Sequence, residues 1–399
     1  MTKTIDDIFK REIYPNVKNN IQELELAEII YFAMFSGVEE QNSERVKQYI
    51  KYLEKNQVGF SQITSLEKKV RQKIFLKLEK YQDNILNFLD GKIKSIFLAY
   101  PGYGSEAVIN GYYPYKNSKK HIPDIFFGGT MTASENIKAT GVFFTPYNTF
   151  DFKKDKRKVY GLLDNLLDIK EKTSIQKIGI AGTLPGYLEK VVNLEDYGIV
   201  PGIWGTLSSI LIGIEDKFDI NKDVLVAGVG RIGEEMIKIL KERGYNVYGF
   251  EQYKKEDERK EIEKKLGVKI FSKKEEIKDI KQIVNLLWKG DNLIKSLDKS
   301  WFGISLDDTY PPQTKILKNM FLSKVAAGFK DLKIVPFVPF FDADGLPGCA
   351  VEAIAKSNFE QVNDNFNDFY RILKENKFVY KGVDIKDRRA YFKILKSFI

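Results

Sequence analysis

Val224-Leu-Val-Ala-Gly-Val-Gly-Arg-Ile-Gly233 runs into Glu234-Glu-Met-Ile-Lys-Ile-Leu-Lys-Glu-Arg-Gly244 and then Tyr245-Asn-Val-Tyr-Gly-Phe-Glu251. Val224–Ala227 is a short apolar run, the length of a buried parallel strand. Gly228, Gly230 and Gly233 give G-x-G-x-x-G. Ile232, Met236, Ile239 and Leu240 follow at helical spacing, and Gly244 supplies a helix stop. A second strand over 245–250 ends on Glu251. The alternation of strand, glycine turn, helix and strand predicts a doubly wound parallel sheet.

Each part of this unit has a physical task. Gly228 makes the tight turn off the strand, Gly230 lets backbone approach a pyrophosphate, and Gly233 lets the helix pack close to the sheet. The helix N-terminus, at Arg231 and Ile232, offers free N–H groups and positive dipole to phosphates. Glu251 stands 23 residues after Gly228, where an acid accepts from a ribose 2′-OH. A 2′-phosphate would meet a carboxylate there, so the expected cofactor is NAD rather than NADP. A strand over 282–287 should bring Leu287 to the cofactor. A domain of the same shape that has lost its cofactor, or holds another nucleotide, is the alternative.

Composition narrows the remaining classes. A chain of 399 residues is long for one domain, and 43% apolar content is enough for full cores. Neither a signal segment nor a membrane-spanning run is expected, and the expected location is cytoplasmic. One cysteine, Cys349, and one histidine, His121, exclude a disulfide framework, a Cys-based zinc site and a His-cluster metal site. The net charge of +9 comes mostly from lysine, with ten arginines, and the lysines alternate with glutamates over 254–265. That is a solvated helix face, so no nucleic-acid partner is expected.

Residues 1–95 read as a helical N-terminal element, with apolar stripes that make a homodimer plausible. An α/β substrate domain is expected over 96–215, with short strands near 95–100, 125–127, 142–145 and 177–180. Their glycine-rich ends, such as Gly128-Gly-Thr130 and Gly179–Gly186, are where such folds place ligand loops, or are simply turns. The nucleotide domain is assigned to 216–350. C-terminal helices over 351–399 would pack back on the first domain, and a small-molecule substrate would sit between domains.

Three residues are candidates for chemistry. His121 could exchange a proton but lies in a polar loop that suits a surface role. Asp308, beside Asp307 at the end of the strand over 302–306, could anchor a substrate amine or hydroxyl, or serve a turn before Pro311. Cys349 stands near the first turn of a helix, where the dipole should favour thiolate. It could carry an acyl group as a thioester, or be a small packing residue.

The unit Val224–Glu251 resembles the NAD(P)-dependent Rossmann dehydrogenases, and the layout from Ile178 onward is similar to the shikimate- and amino-acid-dehydrogenase group. The resemblance implies an NAD-dependent oxidoreductase acting on a small polar metabolite of the amino-acid or keto-acid kind. A second likeness, through Gly179–Gly186 and Cys349-Ala-Val-Glu352, is to the long-chain acyl-carrier-protein reductases, and implies a thioester at Cys349. A silent NAD-sensing or scaffold protein is the reading from another class.

Overall fold

The computed structural model describes residues 86, 89–99, 125–131, 139–145, 147, 149–287, 290–309, 313, 316–329, 334–335, 345–359 and 365–385. Of the N-terminal element, nearly all lies outside these residues. The chain forms β1 (Ile93–Ala99), β2 (Phe126–Met131), β3 (Ala139–Phe144), α1 (Thr149–Lys154), α2 (Lys156–Thr173), β4 (Lys177–Ile180), α3 (Leu184–Leu188) and β5 (Ile199–Val200). Helix α4 (Ile203–Lys217) leads to β6 (Val224–Ala227), α5 (Arg231–Glu242), β7 (Val247–Phe250), α6 (Glu256–Leu266), β8 (Ile270–Phe271) and β9 (Gln282–Asn285). Then come α7 (Asp291–Lys295), β10 (Phe302–Asp307), β11 (Asn319–Lys324), β12 (Ala327–Gly328), β13 (Ile334–Val335), α8 (Gly348–Asn358), α9 (Phe366–Glu375), β14 (Val379–Tyr380) and β15 (Val383–Ile385).

The strands form two main sheets. The second has the order β15-β11-β10-β9-β6-β7-β8. Its strands β6 to β11 pair in parallel, and β15 closes one edge antiparallel. The order reverses between β6 and β9, which makes their carboxyl ends the topological switch point of a doubly wound Rossmann sheet. The first sheet has the order β13-β2-β3-β1-β4-β5, with β3, β1, β4 and β5 parallel.

Burial explains why these segments become strands and helices. All four residues of β6 are buried, as a strand covered on both faces requires. Helix α5 turns Met236, Ile237, Ile239 and Leu240 into the core, each worth about 1.5–3 kcal/mol when removed from water. Leu225, Phe250, Ile283 and Trp301 form a core on the opposite face of the second sheet. A larger core runs from Ile96 and Ile178 through Leu207, Ile210 and Ile214 of α4 to Val226 and Met236. Helix α4 is thus shared by both sheets.

Several expectations change. Gly128-Gly-Thr130 lies inside β2, with a register irregularity between Phe127 and Gly129, not in a loop. The expected boundary at 350 is crossed from both directions. β13 pairs with β2 in the first sheet, and β15 returns to the second sheet. Of the C-terminal helices expected over 351–399, α8 and α9 are helices, 379–380 and 383–385 are strands, and 386–399 lie outside the described residues. Strand β11 has no counterpart among the expected strands. Its Met320, Leu322 and Ser323 are buried, and no simple apolar alternation marks the run.

Helix α8 is buried along most of its surface, including Ala350, Val351, Ala353, Ile354 and Ala355. Glycines let it lie against α4: a Cβ on Gly205 would collide with Gly348 O, and one on Gly348 would collide with Thr206 Cα. This close approach fixes Cys349 at the carboxyl end of β4.

Candidate functional site

The glycine loop after β6 is built as its spacing requires. Gly228 has φ +99, and a Cβ there would meet Leu286 O at 2.6 Å and Leu287 N at 2.9 Å. Only glycine adopts that backbone without strain, and the loop after β9 leaves no room for a side chain. A Cβ on Gly233 would collide with Gly228 O, so the first turn of α5 lies directly against the loop. A Cβ on Gly230 would meet nothing within 4 Å. That open space lies at the start of α5, whose N-cap, Gly230, supplies no capping side chain. The first N–H groups of the helix have no intrahelical acceptor, which is the donor set a phosphate needs.

The residues around the loop are specific. Glu251 is buried at the end of β7, its Oε2 accepting from Val229 N at 3.2 Å and its Oε1 from Tyr253 N at 3.0 Å. Lys254 Nζ donates to Val229 O at 2.7 Å. Arg231 begins α5 and pairs through Nη1 with Glu189 Oε2 at 2.6 Å, at the end of α3. Ile232 packs partly buried against the larger core. Leu287 is buried, and its N–H donates to Asn285 Oδ1 at 3.3 Å. Gly228, Gly230, Arg231, Ile232, Gly233, Glu251 and Leu287 therefore stand together around one loop.

A buried polar cluster occupies the carboxyl ends of β9, β10 and β11. Asp307 accepts from Thr309 Oγ1 at 2.7 Å, Gln313 N at 2.9 Å and Asn285 Nδ2 at 3.1 Å. Its register partner is Lys324, whose Nζ donates to Thr309 O at 2.9 Å. Burial pushes the Asp307 carboxyl up, and Lys324 is the foremost influence against that. Asp307 is therefore consumed in shaping the turn. Asp308 is different: it is partly buried, and its carboxylate accepts no hydrogen bond from the described residues. Burial pushes it up to about 6, against the opposing charge of Lys324, with Asp307 adding to the rise.

Cys349 stands beside this cluster. Gly182 N–H, from the loop after β4, and the charge of Asp308 both act on its thiol, in opposite directions. Helix α8 thus carries Cys349 against β4 of the first sheet, and the charge of Asp308, from the second, acts on its thiol. The expectation of a stabilised thiolate is corrected. Burial pushes the thiol up to about 12, Asp308 adds to the rise, and the Gly182 N–H offsets only part of it. At neutral pH the group is a thiol. Glu352 is also buried, and its Oε2 accepts from Gly205 N at 3.0 Å, so it caps the N-terminus of α4. The Cys-x-x-Glu spacing thus places a thiol and a structural cap at the start of the same helix, α4. His121 lies outside the described residues.

Sequence reasoning missed Lys324, Asn285 and Lys254, while Gly182 lies within the expected ligand loop Gly179–Gly186. A lysine closing a strand next to one that ends in two aspartates is the signal that would have marked Lys324. No helix among the described residues is long and apolar enough to cross a membrane.

No family model matches the chain, and no curated protein matches it. Solved structures do. L-tryptophan dehydrogenase from Nostoc punctiforme is 13% identical with a TM-score of 0.37, over 77% of this chain and 88% of that one. Quinate dehydrogenase from Corynebacterium glutamicum, in complex with NAD, is 11% identical with a TM-score of 0.34, over 71% and 99%. One of the dipicolinate synthase subunits from Bacillus halodurans is 17% identical with a TM-score of 0.23, over 33% of this chain; the chain spans about half the length of that protein, 49%. At these values the site's own geometry carries the functional reading.

Proposed function

We propose that this chain is an NAD-dependent oxidoreductase acting on a small polar metabolite of the amino-acid or keto-acid kind. One observation carries the reading. The loop Gly228–Gly233 sits at the switch point of the sheet, a Cβ on Gly230 would meet nothing within 4 Å, and no side chain caps the start of α5. The residues fit a dinucleotide. The glycine loop and the N-terminus of α5 would hold the pyrophosphate, Arg231 would exchange Glu189 for it, and Glu251 would accept from the ribose. The burial of Glu251 disfavours a 2′-phosphate, which supports NAD over NADP.

When bound, NAD supplies the hydride acceptor. The chain's own residues manage the rest. Asp308, at the carboxyl end of β10, keeps a carboxyl that the turn does not consume, and a carboxyl titrating about pH 6 can take or return the proton that accompanies hydride transfer. Substrate would lie between the loops after β4 and β10, with Cys349 on its wall as a neutral thiol.

The thioester reading, with Cys349 as nucleophile, comes second. The Gly182 N–H, which pulls the thiol down, favours it, while burial and Asp308 oppose the thiolate it needs. Monitoring nicotinamide absorbance across a panel of amino, hydroxy and oxo acids and acyl thioesters tests both readings. Turnover of a metabolite acid by wild type and by Cys349→Ser alike supports the first. Thioester reduction abolished by Cys349→Ser replaces it with the second. NAD binding without turnover of any panel member points to a sensor.

A further inference from the structure

Two side chains from the turn after β7 grip one residue of the glycine loop, through its two flanking peptides. Glu251 Oε2 accepts from Val229 N at 3.2 Å, and Lys254 Nζ donates to Val229 O at 2.7 Å. Val229 is the x between the first two glycines of the loop, and its side chain is fully buried. Its N–H and C=O are thus held from opposite sides by groups of opposite charge. Val229 Cγ2 also lies 3.0 Å from where a Cβ on Gly249 would be, so β7 presses on the same residue.

The gripping turn is itself held. Glu251 Oε1 accepts from Tyr253 N at 3.0 Å, and Arg259 Nη1 donates to Lys254 O at 2.5 Å. Lys255 N donates to Glu258 Oε2 at 2.7 Å, which ties the turn to the start of α6. Gln252 Oε1 accepts from Ser296 Oγ at 3.1 Å, which ties it to the end of α7. A loop with glycine on both sides of Val229 would otherwise have many conformations open to it.

We infer that Glu251 and Lys254 are positioning residues that clamp Val229 and preset the phosphate-binding loop, with the Lys254 ammonium as an added counter-charge for a dinucleotide pyrophosphate. The inference rests on the cofactor reading above and extends it: Glu251 does more than choose between cofactors. An ammonium has three donors, and Lys254 spends one on Val229 O, which leaves two for phosphate oxygens. Preorganisation of this kind strengthens binding by removing the cost of ordering the loop when the ligand arrives.

The test uses the full chain with Lys254→Met, Lys254→Arg and Glu251→Gln. Calorimetric titration with NAD and with NADP should show Lys254→Met weakening both by the same factor, roughly tenfold or more, as loss of a charge-assisted contact implies. Lys254→Arg should recover most of the loss. Glu251→Gln should weaken both cofactors as well as change their ratio. Equal binding by wild type and Lys254→Met, or a Glu251→Gln effect confined to the NAD:NADP ratio, overturns the clamp.

Amide hydrogen exchange on the cofactor-free protein reads the same clamp without any ligand. Exchange over 228–232 should accelerate in Lys254→Met and Glu251→Gln while α5 beyond Glu234 is unchanged. Unchanged exchange in the loop overturns the clamp. Failure of wild type to bind either nucleotide overturns the cofactor reading instead and leaves the exchange result to decide the clamp.

Discussion

The loop after β6 and the polar wall around Cys349 both lie at carboxyl ends of strands, but they are made in different ways. The loop draws on one continuous run, Val224 to Lys254, and its main instrument is backbone: three glycines, a helix start and two side chains that hold Val229. The wall draws Gly182, Asp308, Lys324 and Cys349 from four separate parts of the chain, and its instrument is charge balance among its groups. A site made of backbone has few substitutions that it can absorb. A site made of distant side chains can change its chemistry while the fold stays the same.

The largest effect separating the two should come from Gly233→Ala. The added methyl meets Gly228 O, a backbone atom that cannot move without shifting β6. A loss of roughly 3 kcal/mol in stability is expected, read as a lower urea midpoint at unchanged slope. Stability equal to wild type would mean that helix and loop are not in the contact described.

Asp308→Asn should act in the opposite sense, on chemistry and pH dependence with the fold intact. Activity that needs the Asp308 carboxylate ionised should rise with pH through about 6 in wild type. The stability sign follows from linkage. A carboxyl raised from 3.8 to about 6 binds its proton more tightly in the folded chain. Its favourable contribution is full below about pH 4 and is lost as pH rises through about 6. Asp308→Asn should therefore melt above wild type at pH 7 and lose that advantage by pH 4. Parallel melting curves across this range would show that Asp308 is not in the buried setting described.

The contrast also explains what could be read in advance. Strands β6 and β7, α5 and the loop were legible because glycine spacing, the apolar run Val224–Ala227 and the helical period of Met236, Ile239 and Leu240 are all local signals. Lys324 and Asn285 carry no such local signal, since their meaning depends on which strands lie side by side. Cys349 was visible as a residue, but its charge state was not. Its place at a helix start argued for thiolate, whereas burial between α4 and β4, and the approach of Asp308, keep it protonated. Both depend on the packing of glycines some 150 positions away, Gly202 and Gly205 among them.

A smaller effect is expected at Glu352, where structure and spacing point to different roles. Glu352→Gln keeps an oxygen for Gly205 N and removes a carboxyl that burial pushes up. The variant should be as stable as wild type or more so at pH 7, while Glu352→Ala should lose about 1 kcal/mol for the cap alone. Loss of activity in Glu352→Gln with unchanged melting would move this residue from support to chemistry.

The most direct measurement is a calorimetric titration of NAD into wild type and Gly230→Ala. The methyl at Gly230 points into open space, so the variant should fold and melt as wild type does. That space is where the pyrophosphate is expected, so wild type should bind NAD and Gly230→Ala should bind it far more weakly. Equal binding by the two proteins, or no binding by wild type, would contradict the assignment of the glycine loop as a dinucleotide site.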